Sequence, residues 1–120
     1  MNLSDYPKAV KRLDTHDENW LLLPMSELYK IFDKEGVNVC VIPIFAQKRF
    51  LEFGAAVYWC DDTMKMTYLA ANYENSTENW QTNSYTDFAQ PTKHDFCALD
   101  DREKAEKYAF AKAFEILESI

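Results

Sequence analysis

Glycine occurs twice in 120 residues, histidine twice and cysteine three times. Two glycines cannot build a loop that wraps phosphate in backbone N–H groups, nor the strand-to-helix elbow that presents a nucleophilic serine. Nucleotide binding of that kind and serine-hydrolase chemistry are therefore set aside. Cys40, Cys60 and Cys97 lie far apart with no CxxC pair, which is the pattern of reduced thiols and not of a disulfide framework. Long apolar runs are also missing. Residues 20–25 and 39–46 are far short of the ~20 that span a bilayer, and no basic start leads into an apolar run as in a secretory leader. The expected compartment is the cytoplasm. A cationic face is missing too: 13 Lys and Arg stand against 20 Asp and Glu, a formal charge of −7, and only Gln47-Lys48-Arg49 is locally basic. Without a basic surface to release counterions from a phosphate backbone, direct nucleic-acid binding is disfavoured. The same charge steers the chain toward a more basic partner.

What is present is core-forming material. Hydrophobic residues make up 48% and aromatics 15%, which excludes a disordered chain and, at this length, implies one domain over residues 1–120. The strongest local signal is residues 100–120. An acidic start, Asp100-Asp101-Arg102-Glu103, resembles a capping box. After it Ala105, Ala109, Phe110, Ala113, Phe114, Ile116 and Leu117 fall on one side of a helical wheel. Lys104, Lys107, Lys112, Glu115 and Glu118 gather on the other. The alanines let this helix lie close to a sheet, with Phe110, Phe114 and Leu117 reaching into it.

Upstream, Leu3, Tyr6, Val10 and Leu13 give a short amphipathic helix over 3–13, with Ser4 as its cap and Pro7 in its first turn. Residues 20–24 are apolar on every side and too short for a stand-alone helix, so an extended core segment is expected. Glu27, Leu28, Ile31 and Phe32 give a second helix over 26–35, closed by Gly36 in the left-handed region. Residues 37–45 are rich in β-branched side chains, a covered strand that Pro43 confines to an edge or an end. Residues 50–60 alternate, with Leu51, Phe53, Ala55, Val57 and Trp59 on one face. A hairpin at Asp61-Asp62-Thr63 would return as a strand over 64–73, a solvated strand is expected over 79–88, and 91–99 leads into the last helix. The fold class is α+β: a small antiparallel sheet of three to four strands, with two N-terminal helices and a long C-terminal helix packed on it.

Catalytic and metal chemistry find little to work with. His94 and Cys97, three apart beside Asp95, are the only local nucleophile–base or ligand pair, and structural zinc sites show paired short spacings instead. The cysteine is better read as a small buried hydrophobe. His16-Asp17-Glu18 sits on a polar loop where neighbours need not converge. Glu106 falls within the apolar arc of the last helix, where burial would suit a general acid. Its early position instead points it past the end of the sheet into water. Asn75-Ser76-Thr77 matches a glycosylation acceptor that matters only after secretion.

The stretch 72–88 carries the most informative composition. Tyr73, Trp80, Tyr85 and Phe88 are interleaved with Asn72, Asn75, Asn79, Gln81 and Asn83, the mixture of rigid aromatic area and adaptable amides that binding loops favour. Glu74, Glu78 and Asp87 supply charge for a cationic partner. The expected contact residues are Tyr73, Glu78, Trp80, Gln81, Asn83, Tyr85 and Asp87. The expectation is a non-enzymatic acidic protein, without metal or cofactor, that binds and neutralises a more basic protein. Toxin-immunity proteins and phage-encoded inhibitors of defence nucleases, anti-CRISPR proteins among them, are the classes intended. A small enzyme using His94 and Cys97 or Glu106 is the first rival, and a self-associating subunit the second.

Overall fold

A computed structural model describes residues 2–46, 49–59, 81–83, 93–99 and 101–120. The elements run α1 (Pro7–His16), α2 (Met25–Lys34), β1 (Val37–Ala46), β2 (Arg49–Trp59), β3 (Gln81–Asn83), β4 (Lys93–Leu99) and α3 (Arg102–Ser119), with 3-10 turns at Leu3–Asp5 and Trp20–Leu22. The class is α+β, as the separate helical and strand patterns along the chain predict. All pairings are antiparallel, in the order β1-β2-β4-β3. No helix among the described residues is long and apolar enough to cross a membrane.

The last helix begins one residue later than a capping box from Asp100 requires. Asp101 is the N-cap, and its Oδ1 accepts from the N–H groups of Glu103 and Lys104 at 2.8 and 3.2 Å. Lys104 therefore occupies the place where a reciprocal Glu or Gln would sit. Glu103 still lies in the first turn, where the helix dipole favours an acid. All seven predicted core residues of the helix are buried, and the phenylalanines share one core cluster with Val37, Val39, Ala55 and Val57 of the sheet. Phe114 packs against Tyr6, Trp20 and Phe32 at ring-centroid distances of 6.2, 5.6 and 5.2 Å. Phe110 packs edge-on against Tyr29 and Phe32 at 4.9 and 5.5 Å. The helix also packs on β1 and β2, and its Ala105, Ala109 and Ala113 are fully buried. It is covered on two sides, so its apolar arc is wider than a surface helix needs.

The N-terminal region departs from expectation in its details. Ser4 does not cap a helix from residue 3: Asn2 accepts from the Ser4 N–H in the short Leu3–Asp5 turn, and α1 starts at Pro7. No side chain at the N-cap closes α1. Glu118 does so from the far end of the chain, its Oε2 accepting from the Ala9 N–H at 2.7 Å. That corrects the assignment of Glu118 to the solvated face of its helix. Residues 20–22 form a 3-10 turn, not an extended core segment, and Trp20 alone of the three is buried. The indole Nε1–H donates to Asp14 Oδ1 at 2.9 Å, which satisfies the one polar atom of the ring. Gly36 ends α2 at φ 81°, as anticipated.

β1 pairs only with β2 among the described residues, so Pro43 lies on an edge strand, where its missing N–H is tolerated. Ala55 and Val57 join Val37 and Val39 in the core, with Phe53 and Trp59 packed beside them. Gly54 and Ala56, on the opposite face, are buried as well. The main correction concerns 91–99, expected as a lead-in. Lys93–Leu99 is β4, an inner strand held between β2 and β3. It lacks any β-branched residue, so strand pairing and not local propensity defines it. The strand expected over 79–88 is described only at Gln81–Asn83. The strand expected over 64–73, its hairpin, and Lys48 lie outside the described residues.

Phe114→Ala is expected to cost about 3–5 kcal/mol in a urea unfolding experiment, because it empties the centre of the aromatic cluster. Lys107→Ala, on the exposed side of the same helix, should cost under about 0.5 kcal/mol. An added Cβ at Gly36 meets nothing within 4 Å. Gly36→Ala should therefore lose only the backbone term, about 1 kcal/mol.

Candidate functional site

Gln81 and Asn83 lie in β3, registered with Phe96 and His94 of β4. Tyr73, Glu78, Trp80, Tyr85 and Asp87, the other expected contact residues, lie outside the described residues. β3 ends the strand order, so among the described residues no strand lies on its outer side. An edge of this kind can present unpaired N–H and C=O groups, which another chain can extend as a further strand.

His94 and Cys97 both fall on β4, His94 opposite Tyr58 and Asn83 and Cys97 opposite Ala55. Both positions lie on one inner strand rather than on the lead-in to the last helix. Among the described residues there is no group of three or more His, Cys, Asp or Glu that could hold a metal ion. Cys40 is a free thiol, half-buried on β1, and burial pushes its pKa above the usual cysteine value. Such a thiol is a poor nucleophile. Cys60 lies outside the described residues.

The His16-Asp17-Glu18 run does not converge. His16 Nε2 meets Glu35 Oε1 at 2.8 Å and ties the end of α1 to the end of α2. Asp17 Oδ1 accepts from the Asn19 N–H at 2.8 Å, and Glu18 is exposed. On α1, Lys8, Lys11 and Arg12 border a hollow of about 450 Å³ shared with Thr15 and with Glu118, Ser119 and Ile120 at the end of the chain.

Glu106 does not point past the sheet into water. It is half-buried, and its Oε2 accepts from the Tyr29 hydroxyl at 3.2 Å, joining α3 to α2. Burial first, and then the Glu106 carboxylate, push the Tyr29 hydroxyl well above the usual tyrosine range. Tyr29 is thus held as a proton donor throughout the neutral range, and the pair acts as a fixed tie. Arg102, one turn before Glu106, lies over the Phe53 ring at 4.6 Å.

One surface had no counterpart in the sequence reading. Leu21 and Leu22, counted there with an apolar segment bound for the core, are exposed at 67 and 84%, and Met25 after them at 41%. Beside them is an apolar groove of about 370 Å³ between the Trp20–Leu22 turn, α2 and α3. The available signal was length: a three-residue turn cannot turn every side chain of an unbroken apolar run inward.

No family model, no curated protein and no solved structure matches this chain. The assignment of function accordingly starts from the surfaces themselves.

The Tyr29–Glu106 tie carries a pH signature. The Tyr29 pKa is raised in the folded state. Its contribution is therefore complete below the unfolded value near ~10 and declines as pH rises above it, because the unfolded chain then releases a proton that the folded chain keeps. Tyr29→Phe should flatten the loss of stability between about pH 9 and 11. Urea midpoints across that range would show an unchanged slope if the hydroxyl were not held this way.

Proposed function

We propose that this chain is a non-enzymatic acidic binding protein that occludes a more basic protein partner. Toxin-immunity proteins and phage-encoded inhibitors of defence nucleases, such as anti-CRISPR proteins, act in this manner. The contact surface is the stretch 72–88, with Tyr73, Trp80 and Tyr85 as anchors, Gln81 and Asn83 as hydrogen-bonding groups and Glu78 and Asp87 as rim charges. It works in the cytoplasm, without metal or cofactor and without direct contact to nucleic acid. The observation that carries the reading is the outer position of Gln81–Asn83 beyond β4, in a chain of formal charge −7. That combination supports a partner drawn in by charge and then held along a strand edge.

The test begins with a partner captured from native lysate, identified by mass spectrometry and purified. Trp80→Ala and Tyr85→Ala should each weaken its binding by about 2 kcal/mol or more, as truncation of a central aromatic anchor does. Glu78→Lys and Asp87→Lys should mainly slow association and reduce its salt dependence. Normal binding by both aromatic variants, or their unfolding, would remove this stretch as the contact surface.

A further inference from the structure

We infer that the groove between the Trp20–Leu22 turn, α2 and α3 docks a protein segment offering an aliphatic side chain to the groove and a carboxylate to Lys107. This surface is independent of the β3 edge. Its floor is apolar, with Trp20, Phe110 and Phe114 among the lining residues, and Leu23 and Leu28 at its sides. Leu21 and Leu22 stand beside it at 67 and 84% exposure, and Met25 at 41%. Contiguous large aliphatics exposed next to an apolar depression mark an interaction surface. The outward side chains decide the kind of occupant. A small ligand is enclosed by its pocket, whereas protruding leucines are covered only by a partner large enough to receive them.

The charge at the groove decides the chemistry of that partner. Lys107 is exposed, lines the groove, and has no ion-pair partner among the described residues. Of the acids near the turn, Asp14 is engaged by the Trp20 indole, Asp17 by the Asn19 N–H, and Glu27 by Lys30 at 3.1 Å. Glu103, four residues before Lys107, borders a separate hollow with it and does not line the groove. Glu18 is exposed and is not among the lining residues. Among the described residues lining the groove Lys107 is the one that is charged, and its complement is a carboxylate beside the apolar anchor.

The probe is a helical peptide with two leucines one turn apart and one glutamate a further turn on, compared with the same peptide carrying lysine there. Amide chemical shifts of isotopically labelled protein are followed during titration. The glutamate peptide should shift residues 20–25 and Lys107 and bind about fivefold more tightly than the lysine peptide. Lys107→Glu should reverse that order. Leu22→Asp should abolish binding of both peptides while leaving the circular dichroism unchanged, since this side chain contributes almost nothing to the core. Equal affinity for the two peptides, no reversal with Lys107→Glu, or shifts confined to other surfaces would overturn the proposal. Groove shifts that grow with protein concentration in the absence of peptide would also overturn it, by showing that a second copy of the chain is the occupant.

Discussion

The packing of Phe110 and Phe114 against the aromatic residues of the N-terminal third is the contact on which the rest depends. These two side chains, one helical turn apart, meet Tyr6 at the start of α1, Trp20 in the 3-10 turn and Tyr29 and Phe32 on α2. Tilted and edge-on rings at these distances contribute beyond simple area burial. The alanine side of the same helix remains narrow enough for β1 and β2 to approach. A single helix therefore joins the sheet to the N-terminal helices. Large residues on both of its sides would push one layer away, and alanine on both would leave the other unfilled.

Three polar ties fix the positions of those layers. Glu118 closes the open start of α1 from the last turn of α3, the Tyr29 hydroxyl binds Glu106, and the Trp20 indole binds Asp14. In each, a carboxylate accepts from a donor that packing would otherwise leave partly desolvated. Acids that look like ordinary surface charge in the sequence are thus engaged in structure. Less of the formal charge of −7 is free for recognition than a count suggests.

Two surfaces with different physics remain for contact. β3 ends the strand order among the described residues, and a strand edge of this kind can be extended by backbone hydrogen bonding. The Trp20–Leu22 turn offers side chains instead: exposed leucines, a groove and a nearby cation. A protein using both could hold one partner by charge and backbone pairing and read a second through shape. Glu106, by contrast, is held by the Tyr29 hydroxyl between α3 and α2.

Periodicity in the sequence determined the helices, the first two strands and the α+β class, because a helix or strand with one apolar face writes its period into the chain whatever it later packs against. Gly36 was legible for a similar reason: the left-handed conformation at a helix end selects the residue locally. β4 was not, since Lys93–Leu99 has no β-branched residue and its conformation rests on pairing with β2 and β3. The two-sided burial of α3, the engagement of Glu106 and Glu118, and the exposure of Leu21 and Leu22 were also decided only in three dimensions. Each depends on which neighbour arrives at a given face, and neighbours separated by as many as 109 positions leave no mark in local spacing. For the contact surface the sequence supplied composition and charge. The tertiary structure supplied the edge position of Gln81–Asn83 and an apolar groove that composition alone had assigned to the core.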